Sequence, residues 1–119
     1  MYNNNVYTLF KELNLVSGKE SKIKSSEMDL FFEAILKLEN IDECYDFFED
    51  VATINEVKSL AQRMHVAKLL NEKKTYSEIS EITGASTATI SRVNKCVNYG
   101  SNGYTTVLKR LQDKDCKLK

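Results

Sequence analysis

The 119-residue chain has no proline, no tryptophan and only four glycines. Proline is the strongest breaker of a helix interior, and glycine supplies most irregular turns. A chain this poor in both is expected to be helical, with short links and one domain. No apolar run approaches the roughly 20 residues of a membrane-spanning helix. The opening MYNNNVYTLFKEL lacks the basic start and long apolar core of a secretory signal, so a cytoplasmic location is expected. The three cysteines, Cys44, Cys96 and Cys116, are odd in number and widely spaced, with no C-x-x-C pair and no accompanying histidine. That pattern argues against a metal site and against a disulfide framework. The single histidine, His65, falls mid-helix, where a partly solvated role is the ordinary one. With one histidine, no Ser/His/Asp or Cys/His arrangement and no phosphate loop, neither an enzyme nor a cofactor is expected.

Net charge is absent too, with 17 Lys and Arg against 17 Asp and Glu. The zero conceals an asymmetry. Residues 1–56 carry five lysines against twelve acids, a net −7, and residues 57–119 carry twelve bases against five acids, a net +7. A basic half can attract phosphates while the acidic half faces away. The plainer explanation is chance segregation onto solvated faces, or attraction between the halves.

What is present is a succession of helix signals. Residues 1–25 form a leader. Val6, Leu9, Phe10 and Leu13 give it one weak amphipathic stretch, and Ser17 to Ser26 (SGKESKIKSS) reads as a polar linker. A helix begins near Ser26 and runs to about Leu38. Its apolar residues, Met28, Phe31, Phe32, Ile35, Leu36 and Leu38, cover an arc too wide for one shallow groove, so burial on two sides is expected. Asn40 with Glu43 opens a second helix. Thr53 with Glu56 opens a long third one, with Val57, Leu60, Ala61, Met64, Ala67 and Leu70 on one face and Val66 and Leu69 widening it. Glu72-Lys73-Lys74 breaks it.

Thr75 to Val97 is the informative stretch. Thr75 and Glu78 make a capping box for a helix from Tyr76 to Thr83. Gly84 suits the left-handed conformation that ends a helix, and Ser86 suits the N-cap of the next, from Thr87 to Val97. Two helices across a short glycine-containing turn form a helix-turn-helix, whose second helix commonly enters a DNA major groove. Ile90, Val93 and Val97 supply its buried stripe. Thr87, Ala88, Ser91, Arg92 and Lys95 lie opposite. Asn98 to Gly103 then reads as a turn, with a last helix carrying Tyr104, Val107, Leu108 and Leu111. Residues 113–119 form a charged tail expected to fray.

The preferred reading is a sequence-specific regulator of double-stranded DNA. Thr87, Ala88 and Ser91 would face base edges, and Ser86 and Thr89 would bond phosphates. Tyr76 and Ser77 would touch the backbone from the first helix, and Arg92 and Lys95 would supply charge. The alternative is a protein-interaction module that does not read DNA, which the neutral total charge and weakly basic recognition helix favour.

From about Ser26 to Leu111 the chain resembles the Trp-repressor superfamily, and within it the YerC/YecD branch. The strings that carry this are FFEAILKL, ECYDFFEDVATINEV, LAQRMHVAKLL, TYSEISEITGASTATISRVNKCVNYG and GYTTVLKRL. The resemblance implies an all-α, six-helix fold over residues 26–112, forming an intertwined homodimer in which each subunit presents one helix-turn-helix. It also implies an effector pocket, in which tryptophan's indole lies between two arginines. Arg63 and Arg92 match these, and Thr53 matches a threonine at the start of the long helix. Val93, however, stands where the tryptophan repressor has glycine. Cys96 replaces a serine that helps hold the ligand's amino group, and the link before the motif is about one residue shorter. The expectation is a vestigial pocket, partly filled by Val93, that does not bind tryptophan well.

Overall fold

A computed structural model of the chain describes residues 20–118. The leader's expected amphipathic stretch at residues 6–13 lies outside them. Among the described residues there are six α-helices and no strand: α1 (Ser26–Leu36), α2 (Ile41–Val51), α3 (Ile54–Asn71), α4 (Tyr76–Thr83), α5 (Thr87–Tyr99) and α6 (Gly103–Leu118). None is long and apolar enough to cross a membrane. The chain divides after Val51 into two units.

In the first unit, the Ser25 hydroxyl caps α1 by accepting the Met28 N–H at 3.0 Å. The helix stops at Leu36, two residues before the expected end, because the Lys37 and Leu38 amides turn back to the Ala34 and Ile35 carbonyls. The Asn40 side chain accepts the Glu43 N–H at 2.9 Å and starts α2. The reciprocal bond of the expected box is displaced by one residue, since the Glu43 carboxylate accepts from the Glu39 N–H. Phe31 of α1 stacks on Phe47 of α2 at 6.1 Å, and Phe47 meets Phe48 edge-on. Asp29 is buried, and Lys24 Nζ lies 3.1 Å from its carboxylate. No apolar side chain of this unit is fully buried among the described residues. Leu30, Phe32, Ile41, Tyr45 and Val51 stay exposed, and Leu36 is 78% exposed. Among the described residues the wide apolar arc thus has no full cover.

The second unit holds the core. The Thr53–Glu56 capping box forms as expected, with both reciprocal bonds present. Val66, Ala67 and Leu69 of α3 pack with Ile79 of α4, Ala85 of the turn, Ile90 and Val93 of α5 and Leu108 of α6, while Met64, Leu70, Val97 and Tyr104 close the edges. The expected stripe on α3 holds only in its second half. Leu60 and Ala61 are exposed, whereas Val66 and Leu69 are among the most buried residues. The cause is that α4, α5 and α6 all pack on α3 and draw their buried partners from its C-terminal turns. Its first half carries Ile54, 72% exposed, and Leu60, 54% exposed.

Two ends differ from the sequence reading. α5 continues through Tyr99, so the expected turn from Asn98 shrinks to Gly100–Asn102. Asn98, polar enough to suggest a turn, instead donates its side-chain N–H to the Asn94 carbonyl one turn back. The helix ends where Gly100 permits a close approach, since a Cβ there would collide with the Cys96 carbonyl. α6 keeps its helical backbone to Leu118, past the end expected near Gln112.

Candidate nucleic-acid interface

The helix-turn-helix is built from short-range bonds between side chains and backbone. The Thr75 hydroxyl accepts the Glu78 N–H at 3.1 Å, and the Glu78 carboxylate accepts the Thr75 N–H at 2.8 Å. That backbone bond is the main reason the Glu78 carboxyl is held below the usual carboxylate range. Gly84 ends α4 at φ 75°, in the left-handed region that L-residues with a Cβ adopt at a cost. Its N–H returns to the Ser80 carbonyl at 2.8 Å. The Thr83 hydroxyl donates to the Ile79 carbonyl and accepts the Ala85 N–H, and the Ser80 hydroxyl donates to the Ala85 carbonyl. Ala85 is 2% exposed, so this position leaves little room for a longer side chain. From α3, Gln62 Nε2 donates to the Thr83 carbonyl at 3.1 Å.

Ser86 then caps α5. Its hydroxyl accepts the Thr89 N–H and donates to the Thr89 hydroxyl, both at 3.1 Å. Thr89 Oγ1 accepts that bond and keeps its own proton for an outside acceptor. Ile90 and Val93 face the core, and Val97 is half-buried, as the periodicity predicts. Ser86, Thr87, Ala88, Ser91, Arg92 and Lys95 are exposed, and Thr89 is half-buried. Tyr76 and Ser77 are exposed in the first turn of α4. The nine residues named from the sequence therefore lie on the helix-turn-helix, with the long and basic side chains of Arg92 and Lys95 beyond the small, neutral N-terminal turn of α5. Helix N-terminal N–H groups and small side chains suit close approach to an anionic surface.

The residues named for an effector pocket are only partly gathered. Val93 is 2% exposed and belongs to the core. Arg63 is half-buried, while Arg92 and Cys96 are exposed. Burial raises the Tyr104 hydroxyl pKa, Cys96 raises it further, and Arg63 lowers it, which puts Cys96 and Arg63 within electrostatic reach of one ring. Thr53 is elsewhere. It caps α3 ten residues before Arg63, about 15 Å along the helix axis, with its hydroxyl engaged by the Glu56 N–H. His65 is exposed, as its mid-helix position suggests.

Gln62, Ser80 and Thr83 are not among the residues singled out from the sequence, and Tyr104 is named there only on the apolar face of the last helix. Gln62 gave no signal, because a polar residue beside apolar positions reads as solvated. Ser80 and Thr83 carried one. Both fall in the turn before Gly84, where short hydroxyl side chains compete for backbone groups.

An all-α chain that carries a helix-turn-helix on a long supporting helix falls in the class of helix-turn-helix proteins, a fold used by DNA-binding regulators. More narrowly, the chain belongs to the Trp repressor family, whose profile, described as Trp repressor protein, matches residues 26–112. It is 51% identical over 92 residues to the uncharacterized protein YerC of Bacillus subtilis (strain 168), across 77% of this chain and 88% of that one. Two crystal structures share the fold. A TrpR-like protein from Eubacterium eligens ATCC 27750 is 57% identical with a TM-score of 0.75, covering 78% of this chain and 96% of its own. A proposed Trp repressor from Staphylococcus aureus is 46% identical, also with a TM-score of 0.75, covering 81% and 96%.

Proposed function

We propose that the chain is a transcriptional regulator, acting as a repressor, that reads double-stranded DNA as a homodimer through α5. The observation that carries this is the division of α5. Ile90 and Val93 anchor one face in the core, and Thr87, Ala88, Ser91, Arg92 and Lys95 stand exposed on the other. Small residues at the leading end suit base edges, and the bases further along suit phosphates. The exposed apolar side chains of α1, α2 and the first half of α3 support a second subunit, because a monomer seldom leaves so many large apolar groups wet. In such a dimer, two recognition helices would meet successive major grooves about 34 Å apart.

Tryptophan is not the effector in this reading. The isopropyl group of Val93 lies in the core, at the position where the tryptophan repressor has glycine. Titration calorimetry with tryptophan is expected to give no tight binding, and a tight isotherm would overturn this part. For DNA, a gel shift on genomic fragments at rising salt is the test. A shift that weakens steeply with salt supports phosphate neutralisation. No shift even at low salt would favour a module that keeps the fold for protein partners.

A further inference from the structure

We infer that Gln62 is a positioning residue for the recognition helix, fixing the angle at which α5 is presented. The inference rests on the reading of α5 as the DNA-contacting helix. Thr83 is the last residue of α4, where carbonyls lack partners within their own helix. Its carbonyl is met by Gln62 Nε2 from α3, 21 residues away in sequence, at 3.1 Å. The other side-chain bonds of the turn, from Ser80 and Thr83, span five residues or fewer. They shape the turn but do not tie it to anything else. Apolar contacts among Val66, Ile79, Ala85 and Ile90 hold α4 and α5 near α3, yet such contacts are non-directional and tolerate rotation. A hydrogen bond constrains direction as well as distance. Gln62 is half-buried, so water competes poorly for this bond. The bond lies three residues before the Ser86 N-cap, at the point where a small rotation swings the whole of α5.

The consequence is specific. Reading bases requires one docking angle, whereas attraction to phosphates does not. Loss of the Gln62 bond therefore lowers selectivity more than it lowers general DNA affinity. The probes are a duplex selected from random DNA by the wild-type protein and a scrambled duplex of equal length. With Gln62→Met, affinity for the selected duplex falls about tenfold, the size expected for one directional bond, while affinity for the scrambled duplex is nearly unchanged. Gln62→Glu adds a chemical signature. Its carboxylate cannot donate to the Thr83 carbonyl, but its protonated form can. Measured against wild type at each pH, its selectivity recovers as pH falls from about 7 to about 5, because burial beside a carbonyl raises a carboxyl pKa. Circular dichroism checks that both variants stay helical, and Gln62→Glu, nearly isosteric, serves if Gln62→Met does not fold. Equal losses on both duplexes, no loss on either, or no acid recovery by Gln62→Glu would overturn the assignment. Wild-type protein that binds neither duplex overturns it as well, and marks the DNA reading itself as the failure.

Discussion

Lys73 occupies a position that glycine usually holds. It follows the Glu72 C-cap of α3 at φ 65°, and its N–H and that of Lys74 return to the Leu70 and Leu69 carbonyls. This is the paired-bond helix end that favours a left-handed residue. An L-residue there costs about 1–2 kcal/mol, and glycine gives back about 0.5–1 kcal/mol as lost chain entropy. Lys73→Gly is therefore expected to stabilise the protein by about 0.5–1 kcal/mol, read as a rise in the urea midpoint. Gly100 is the opposite case. Its N–H bonds the Cys96 carbonyl at 2.8 Å, and an added Cβ would strike that same carbonyl. Gly100→Ala must open the end of α5, and a loss of more than about 1 kcal/mol is expected in the same experiment. Neither effect is visible in composition. Lys73 reads as an ordinary break in a charged link, and Gly100 as one turn residue among several.

At the scale of elements, caps were the most legible feature. Thr53, Thr75 and Ser86 start α3, α4 and α5 where the sequence places them, because a hydroxyl three residues ahead of a free N–H is a local device. Thr75→Ala should cost about 1 kcal/mol of stability. The carboxylates of the two boxes add a pH dependence. Glu56 and Glu78 are held below their ordinary pKa by backbone N–H bonds from Thr53 and Thr75. Their contribution is complete above the unfolded carboxyl pKa, about 4.3, and is lost as pH falls through the lower folded values. Glu78→Gln is expected to flatten part of this acid loss in a urea titration carried from neutral to acid pH. An unchanged pH profile would mean that the box contributes nothing through its charge. What the sequence could not show is where helices meet. By periodicity Leu60 lies on the main apolar face and Val66 only widens it, yet Val66 is the buried one, because α4, α5 and α6 pack on the second half of α3. The helix-turn-helix was legible for the same reason as the caps. The small residues and bases of α5 fall within one short motif, whereas Gln62 reaches the turn across 21 residues.

At the scale of the molecule, the uneven cover of apolar groups is the dominant fact. The buried core lies in the second unit, and the described residues of the first leave Leu36, Ile41 and Tyr45 largely in water. If a second copy covers them, stability includes an association term, and the melting temperature rises with protein concentration. A melting temperature independent of concentration over the micromolar range, with a monomer mass in sedimentation, would mean that no second copy covers these residues. Selection of bound fragments from random DNA shows whether two copies of α5 read DNA together. The expected result is a near-palindromic pair of half-sites whose centres lie one helical turn apart, about 10 base pairs. No enrichment at low salt, or enrichment of a single unpaired half-site, would contradict it.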